Sequence, residues 1–259
     1  MRKIYGVTGY KGYVGSYILS HYDNFVGLDC DVTNPTDVEN CIGDSGVNAV
    51  LHLAAKSDVE WCEKPENEKT LINVNLRGTF NVCLAAEKER IGVLLLSSDH
   101  VFGGNRGSYR ETDKPSPRNQ YGLSKLSAEG LQEVFDNLKI VRTSYLFDFN
   151  RLAPYGSGEY PTFIYRTFMY LPHFVESLVR YLDNMETMPR LLHISGTVLA
   201  SWYQFMSDWL GLGVMPRTKD IGGVPRPMRG GLDVSMSKRL GFPQYSYQDG
   251  LVQMEKDYR

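Results

Sequence analysis

The chain has 259 residues, 42% of them hydrophobic and 22% charged, with a formal net charge of -2. That length suits one or two domains with a sizeable core, and the near-neutral balance with scattered basic residues speaks against a binder of nucleic-acid backbones. No stretch reaches the roughly 18 uninterrupted apolar residues of a membrane span, and the start lacks the apolar core of a signal peptide, so a cytoplasmic chain is expected.

Short apolar runs alternate with amphipathic ones in the first part, the pattern of strand-helix units around a parallel sheet. Ile4–Thr8 reads as a strand and Tyr13–His21 as the helix after a glycine turn. Asn24–Leu28 is a second strand, followed by a short helix from Pro35 to Cys41 opened by Asn34-Pro35. Asn48–Leu53 reads as a buried strand, Asn67–Arg90 as one long helix, and Ile91–Leu96 as a central strand, being apolar throughout. A polar Gly- and Pro-rich loop spans Asp99–Asn119. Gln120–Asn137 then reads as a helix and Lys139–Leu146 as a strand. Beyond Asp148 the alternation fades, with helices expected at Leu171–Asn184, Leu199–Leu210 and Gln248–Lys256. The expected architecture is a Rossmann-type doubly wound α/β sheet over residues 1–150 and a smaller, partly interleaved substrate domain over 151–259. Cys30, Cys41, Cys62 and Cys83 form no Cys-x-x-Cys pair and have no His at zinc-ligand spacing, so four reduced thiols and no metal are expected.

Gly9-Tyr10-Lys11-Gly12-Tyr13-Val14-Gly15 places three glycines between the first strand and the first helix. The first permits a tight turn, the second admits a pyrophosphate to the backbone, and the third lets helix pack on strand, with the helix N-terminus facing the phosphates. A dinucleotide is therefore expected on residues 9–15. Asp29, after the second strand, stands about 20 residues on, where an acid binds the adenosine ribose. A carboxylate there favours NAD, whereas Lys11 would attract the 2′-phosphate of NADP; the balance leans to NAD. Asp31 and Val32 are the competing pair, with Asp31 on the adenine.

Tyr121-Gly-Leu-Ser-Lys125 puts a phenol and an ammonium four residues apart, on one face of a helix. A phenol titrating near 10 needs a neighbouring cation to exchange protons at neutral pH. Lys125 supplies it and can also hold the nicotinamide ribose. Ser98, closing the central strand, would donate to a substrate carbonyl oxygen. Six aromatic residues (Tyr155, Tyr160, Phe163, Tyr165, Phe168 and Tyr170) look exposed and could stack on a base or sugar, although packing of a short C-terminal domain is the favoured reading.

The stretches Ser97-Ser-Asp-His-Val-Phe-Gly-Gly104, Tyr109-Arg-Glu-Thr-Asp-Lys-Pro-Ser-Pro117 and Asn119-Gln-Tyr-Gly-Leu-Ser-Lys-Leu-Ser-Ala-Glu129 resemble the dTDP-4-dehydrorhamnose reductase family, within the extended short-chain dehydrogenase/reductases. Arg142-Thr-Ser-Tyr145, Leu53-Ala-Ala-Lys-Ser-Asp58 with Asn73 and Asn75, and Arg226-Pro-Met-Arg-Gly-Gly-Leu-Asp233 are similar to other segments of that family. The resemblance implies reduction of a 4-keto nucleotide sugar by a Ser98, Tyr121, Lys125 triad. It implies that Leu53, Ala54, Ala55, Lys56, Asn75 and the backbone at Thr143 line NAD(P), and that Asp99, His100, Val101 and Arg226 lie on the sugar side. It also implies dimerisation through the helix of Tyr121 and Lys125, hence a possible homodimer. Two departures stand out. Ser98-Asp99-His100 replaces the family's Thr-Asp-Tyr, and the region from Asp148 to Pro172 is short. An epimerase that retains its NAD is the nearest enzymatic alternative. A non-catalytic dinucleotide-binding subunit, such as the regulatory subunit of methionine adenosyltransferase, is the alternative of another class.

Overall fold

In the computed structural model, which describes residues 2–211, 213–219 and 223–258, the apolar runs of the first half form a parallel sheet. Its strands are β1 (Tyr5–Thr8), β2 (Phe25–Gly27), β3 (Ala49–His52), β4 (Gly92–Ser98) and β5 (Leu138–Thr143), with Leu191–His193 as a sixth. The order is β2, β1, β3, β4, β5 and then the sixth strand. Tyr5 pairs with both Phe25 and Ala49, and Ala49 with Gly92, all in parallel register. Val93, Leu94 and Leu95 in β4 are all buried, so side chains on both faces of this strand leave water. Each contributes about 1.5–3 kcal/mol by burial. This is the expected α/β architecture with a six-stranded parallel sheet.

The chain divides into two units: Met1–Ser97, Asn119–Val141 and Val179–Leu191 form unit 1, and Ser98–Arg118, Arg142–Leu178 and Leu192–Arg259 form unit 2. The interleaving is thus finer than one boundary near residue 150 would give. The core of unit 1 gathers Leu28, Val38, Val50, Val82, Val93 and Ile140. That of unit 2 is aromatic, with Phe147, Phe168, Tyr170, Phe205 and Tyr247. Phe168 and Tyr170 are core residues, in line with the favoured packing reading: both are buried, and Phe168 stacks on Phe205 at 4.2 Å.

Three helices differ from expectation, each for a local reason. The long helix at Asn67–Arg90 is broken into Glu68–Ile72, a π-turn at Asn73–Arg77, and Gly78–Lys88. The Thr79 hydroxyl donates to the Asn75 carbonyl (2.7 Å), taking up a backbone acceptor inside that turn. The helix expected to reach Asn137 runs only over Gln120–Glu129 and tightens into a 3-10 turn at Gly130–Glu133, a common way for a last turn to take up its carbonyls. Leu199–Ser201 is a strand, antiparallel to Tyr165–Thr167. The helix begins at Trp202, where the Ser201 hydroxyl accepts from Gln204 N–H (3.1 Å). The expected strand Lys139–Leu146 likewise ends at Thr143, and Leu146–Phe147 pairs separately with Met169–Tyr170.

All four cysteines are free thiols, and no helix among the described residues is long and apolar enough to cross a membrane. Replacing Phe168 by Ala is expected to lower the unfolding free energy by about 3–5 kcal/mol, and Phe168→Leu by far less. Urea denaturation followed by tryptophan fluorescence checks this. A loss below about 1 kcal/mol for the Ala variant would contradict the packing described.

Candidate active site

In unit 1 the turn after β1 brings two backbones into contact. Gly9 has φ +67°, and a Cβ there would lie 2.6 Å from the Ala54 nitrogen, so no other residue fits. Gly12 N–H donates to the Gly9 carbonyl (2.9 Å). At Gly15 a Cβ would lie 2.5 Å from the Tyr10 Cα, which is why helix Tyr13–His21 can sit against the loop. The helices starting at Pro35, Gln120, Trp202 and Tyr247 are each capped by a side chain, from Asn34, Asn119, Ser201 and Ser246. The Tyr13–His21 helix opens on Gly12 with no side-chain cap. Its first N–H groups and its positive dipole end are left for an anion. This cradle fits a dinucleotide pyrophosphate.

At the end of β2, Lys11 and Asp29 form an exposed ion pair at 2.9 Å. The Lys11 ammonium holds the Asp29 carboxyl below its ordinary range, and Asp29 raises Lys11 in turn. The two charges that argued for different cofactors therefore compensate each other. Asp31 is turned to Thr33, accepting from its N–H (2.9 Å) and hydroxyl (2.8 Å). Val32 is only 6% exposed and belongs to the core, facing Gly78. Its side chain is turned inward, which leaves its backbone as the part that can meet a cofactor.

The loop after β3 is held from behind. Leu53, Ala54 and Ala55 are half-buried and Lys56 is exposed. Asn75 is almost fully buried, and its side chain accepts from Lys56 N–H (2.7 Å) and donates to the Lys56 carbonyl (3.0 Å) and Ser124 Oγ (2.8 Å). Its amide thereby shapes the loop.

The helix Gln120–Glu129 carries Tyr121 and Lys125. Asn119 accepts from Gly122 N–H (2.7 Å) at its start, and Glu63 accepts from Gln120 N–H. Tyr121 is half-buried, whereas Lys125 is 3% exposed. Burial pushes the Lys125 ammonium down to about 8, and Glu129 one turn later opposes that shift. Glu129 is itself buried and accepts from the Ser97 hydroxyl at 2.5 Å. Glu129 carries no role in the sequence analysis, although it stands at the four-residue spacing from Lys125 that flags such a partner.

In unit 2, Ser98 ends β4 and is 8% exposed. Its Oγ accepts from His100 N–H (3.2 Å) and donates to Asp99 Oδ1 (3.2 Å). Asp99 is buried, with Oδ2 accepting from Ser144 Oγ (2.8 Å) and 3.5 Å from Arg166 Nε. Asp99 thus anchors the turn after β4, and Val101 beside it is fully buried. Of this turn, His100 keeps exposed surface, as does Arg226 in its own segment. The Thr143 hydroxyl is buried without a hydrogen-bond partner among the described residues. Arg166 and Ser144, the partners of Asp99, lay too far off in the chain to be found from spacing.

Known proteins give this arrangement a context. Residues 2–154 match the family described as RmlD substrate binding domain. A dTDP-4-dehydrorhamnose reductase of Aggregatibacter actinomycetemcomitans is 30% identical over 162 residues, 62% of this chain and 48% of that protein. The methionine adenosyltransferase 2 subunit beta of Rattus norvegicus is 36% identical over 139 residues, 48% of this chain and 40% of that protein. The chain spans about half the length of the curated relatives it matches. A solved dTDP-4-dehydrorhamnose reductase from Bacillus anthracis, in complex with NADP, has a TM-score of 0.89 at 23% identity, covering 99% of this chain and 100% of that one. That likeness is one of fold. With the match over more than half of its residues, the chain belongs to the RmlD substrate binding domain family.

Proposed function

We propose that this protein is an NAD(P)-dependent reductase of a 4-keto nucleotide sugar, with unit 1 as the dinucleotide-binding part and unit 2 as the sugar-nucleotide part. The observation that carries the reading is Lys125, buried one helical turn from half-buried Tyr121, in the same unit as the uncapped, glycine-opened helix. The names of the relatives supply the substrate class.

When bound, the reduced nicotinamide supplies a hydride to the carbonyl carbon. Tyr121 then gives its phenolic proton to the carbonyl oxygen, and the Lys125 ammonium stabilises the phenolate left behind until water reprotonates it. Ser98 donates a hydrogen bond to the same oxygen, turning from Asp99 to do so. The first-turn N–H groups of the Tyr13–His21 helix hold the pyrophosphate, Ala54 and Ala55 line the nicotinamide half, and Asp29 takes the ribose hydroxyls. His100 and Arg226 recognise the sugar nucleotide. With Lys11 beside Asp29, both NADH and NADPH are accepted, Lys11 serving the 2′-phosphate. A second reading, a dinucleotide-binding partner subunit, is favoured by the likeness to the rat subunit beta.

A second copy of this chain is the proposed partner. Leu123, on the helix of Tyr121 and Lys125, is exposed, as are Ile72, Phe80, Leu84 and Val134 elsewhere on unit 1, and large apolar side chains of this kind are what an interface between copies would cover. Light scattering is expected to give twice the 29.4 kDa chain mass and, for Phe80→Arg, the chain mass alone.

Titration with NADH and NADPH should show binding of both, with Lys11→Ala weakening NADPH selectively. Adding 4-keto nucleotide sugars should then consume the reduced cofactor, and Tyr121→Phe should slow this by about 10²–10⁴-fold without loss of dinucleotide binding. Cofactor binding without any turnover would shift the weight to the partner subunit.

Lys125 also gives a stability prediction. Its folded value of about 8 lies below the ordinary 10.5, so between these pH values the unfolded chain holds more protons and stability rises with pH. Relative to Lys125→Met, the wild type should gain on the order of 3 kcal/mol from pH 7.5 to 10.5. Urea midpoints at several pH values measure the difference, and a flat difference would sink the claim.

A further inference from the structure

Four residues of unit 1 that the proposed chemistry does not use form a buried hydrogen-bonded line behind the Ala54–Lys56 loop. Thr8, His52, Asn75 and Thr79 are each no more than 1% exposed. His52 Nδ1 is 2.6 Å from Thr8 Oγ1, and Nε2 is 3.1 Å from Thr79 Oγ1. The direction of every bond in this line can be worked out. Thr79 has one hydroxyl proton, and it goes to the Asn75 carbonyl at 2.7 Å. Thr79 Oγ1 can therefore only accept from His52, so Nε2 carries a proton. A neutral imidazole has one N–H, which leaves Nδ1 as an acceptor, and Thr8 must donate to it. Thr8 Oγ1 in turn accepts from Ala54 N–H at 3.4 Å.

We propose that His52, as a neutral imidazole protonated on Nε2 alone, is a positioning residue for the dinucleotide, fixing the loop at Ala54 before the ligand arrives. The inference rests on the dinucleotide reading above and adds to it a residue with no ligand contact of its own. Through Thr8 the imidazole holds the Ala54 amide. Through Thr79 it holds the backbone carbonyl of Asn75, and the side-chain amide of the same residue brackets Lys56 on both backbone groups and donates to Ser124. Ser124 then donates to the Tyr121 carbonyl at 2.7 Å. The polarity is fixed from the Ala54 N–H to the Asn75 carbonyl, and the Asn75 side chain carries the hold on to Lys56 and the helix of Tyr121 and Lys125. A loop set in advance does not have to be ordered when the ligand binds. The ring also has to remain uncharged. Burial and the neighbouring Lys125 ammonium push its pKa down to about 3, and a second proton would turn the Thr8 acceptor into a donor.

The test has two arms. In ¹⁵N-histidine protein, with His52→Gln assigning the signal, long-range ¹H–¹⁵N spectra should show His52 protonated on Nε2 only, unchanged from about pH 5.5 to 8.5. A titrating ring or an Nδ1–H tautomer overturns the proposal, and this arm needs no variant to fold beyond the one used for assignment. In the second arm, Thr8→Val removes the hydroxyl at constant shape. It should raise the Kd for NADH and NADPH about tenfold and speed exchange of the Ala54 amide, while Thr8→Ser restores both to within about twofold. Wild-type affinity in Thr8→Val overturns the positioning role and leaves the dinucleotide reading intact. Absence of binding by the wild type overturns that reading first, whatever the tautomer proves to be.

Discussion

The contact between the ends of β1 and β3 governs the rest of unit 1. Thr8 and His52 are register partners, and one residue further on the Gly9 backbone lies so near Ala54 that no side chain can stand between them. With that approach set, the glycine turn must close as it does and the following helix must start at Tyr13. The loop through Ala54 must then run past the mouth of that helix. A parallel sheet puts such turns at the carboxyl ends of its strands, where open α/β folds take their ligands. Local backbone geometry at one glycine and the topology of the sheet thus act together.

Each unit tolerates charges that a core would ordinarily reject. Lys125 is removed from water along with Glu129 and Ser97 in unit 1, and Asp99 along with Arg166 in unit 2. Buried ionic groups of this kind add little net stability, because desolvation offsets most of their attraction. Removing one partner, however, commonly costs about 3–5 kcal/mol, since a lone charge remains. Their value lies in orientation: a lysine held by its surroundings presents its ammonium in one place, and a turn pinned by Asp99 presents Ser98 and His100 in one arrangement.

The sequence made legible whatever is decided over a few residues. The glycine spacing, the Asn34-Pro35 helix start, and the four-residue step from Tyr121 to Lys125 depend on local geometry, and each carries a local signal. What escaped depends on partners far along the chain. The π-turn at Asn73–Arg77 answers to Asn75 reaching Lys56 and Ser124, neither of which can be read from its own segment. Leu199–Ser201 has a helix-like composition but finds Tyr165–Thr167 as a strand partner. At Val32 the side chain is packed against Gly78, a partner more than forty residues away that its own segment does not reveal. For the aromatic residues beyond Asp148 packing was the favoured reading, and it holds for Phe168 and Tyr170, while Tyr155 keeps 40% of its surface exposed.

The chain passes between its two units five times, after residues 97, 118, 141, 178 and 191. This has a consequence for how the molecule is made. Unit 1 needs the segment Val179–Leu191 to be complete, so a chain leaving the ribosome cannot finish it until Leu191 has been added, after unit 2's first two segments. Domains in separate stretches of sequence can fold one after the other, but these two must mature together. No single cut would release either of them whole.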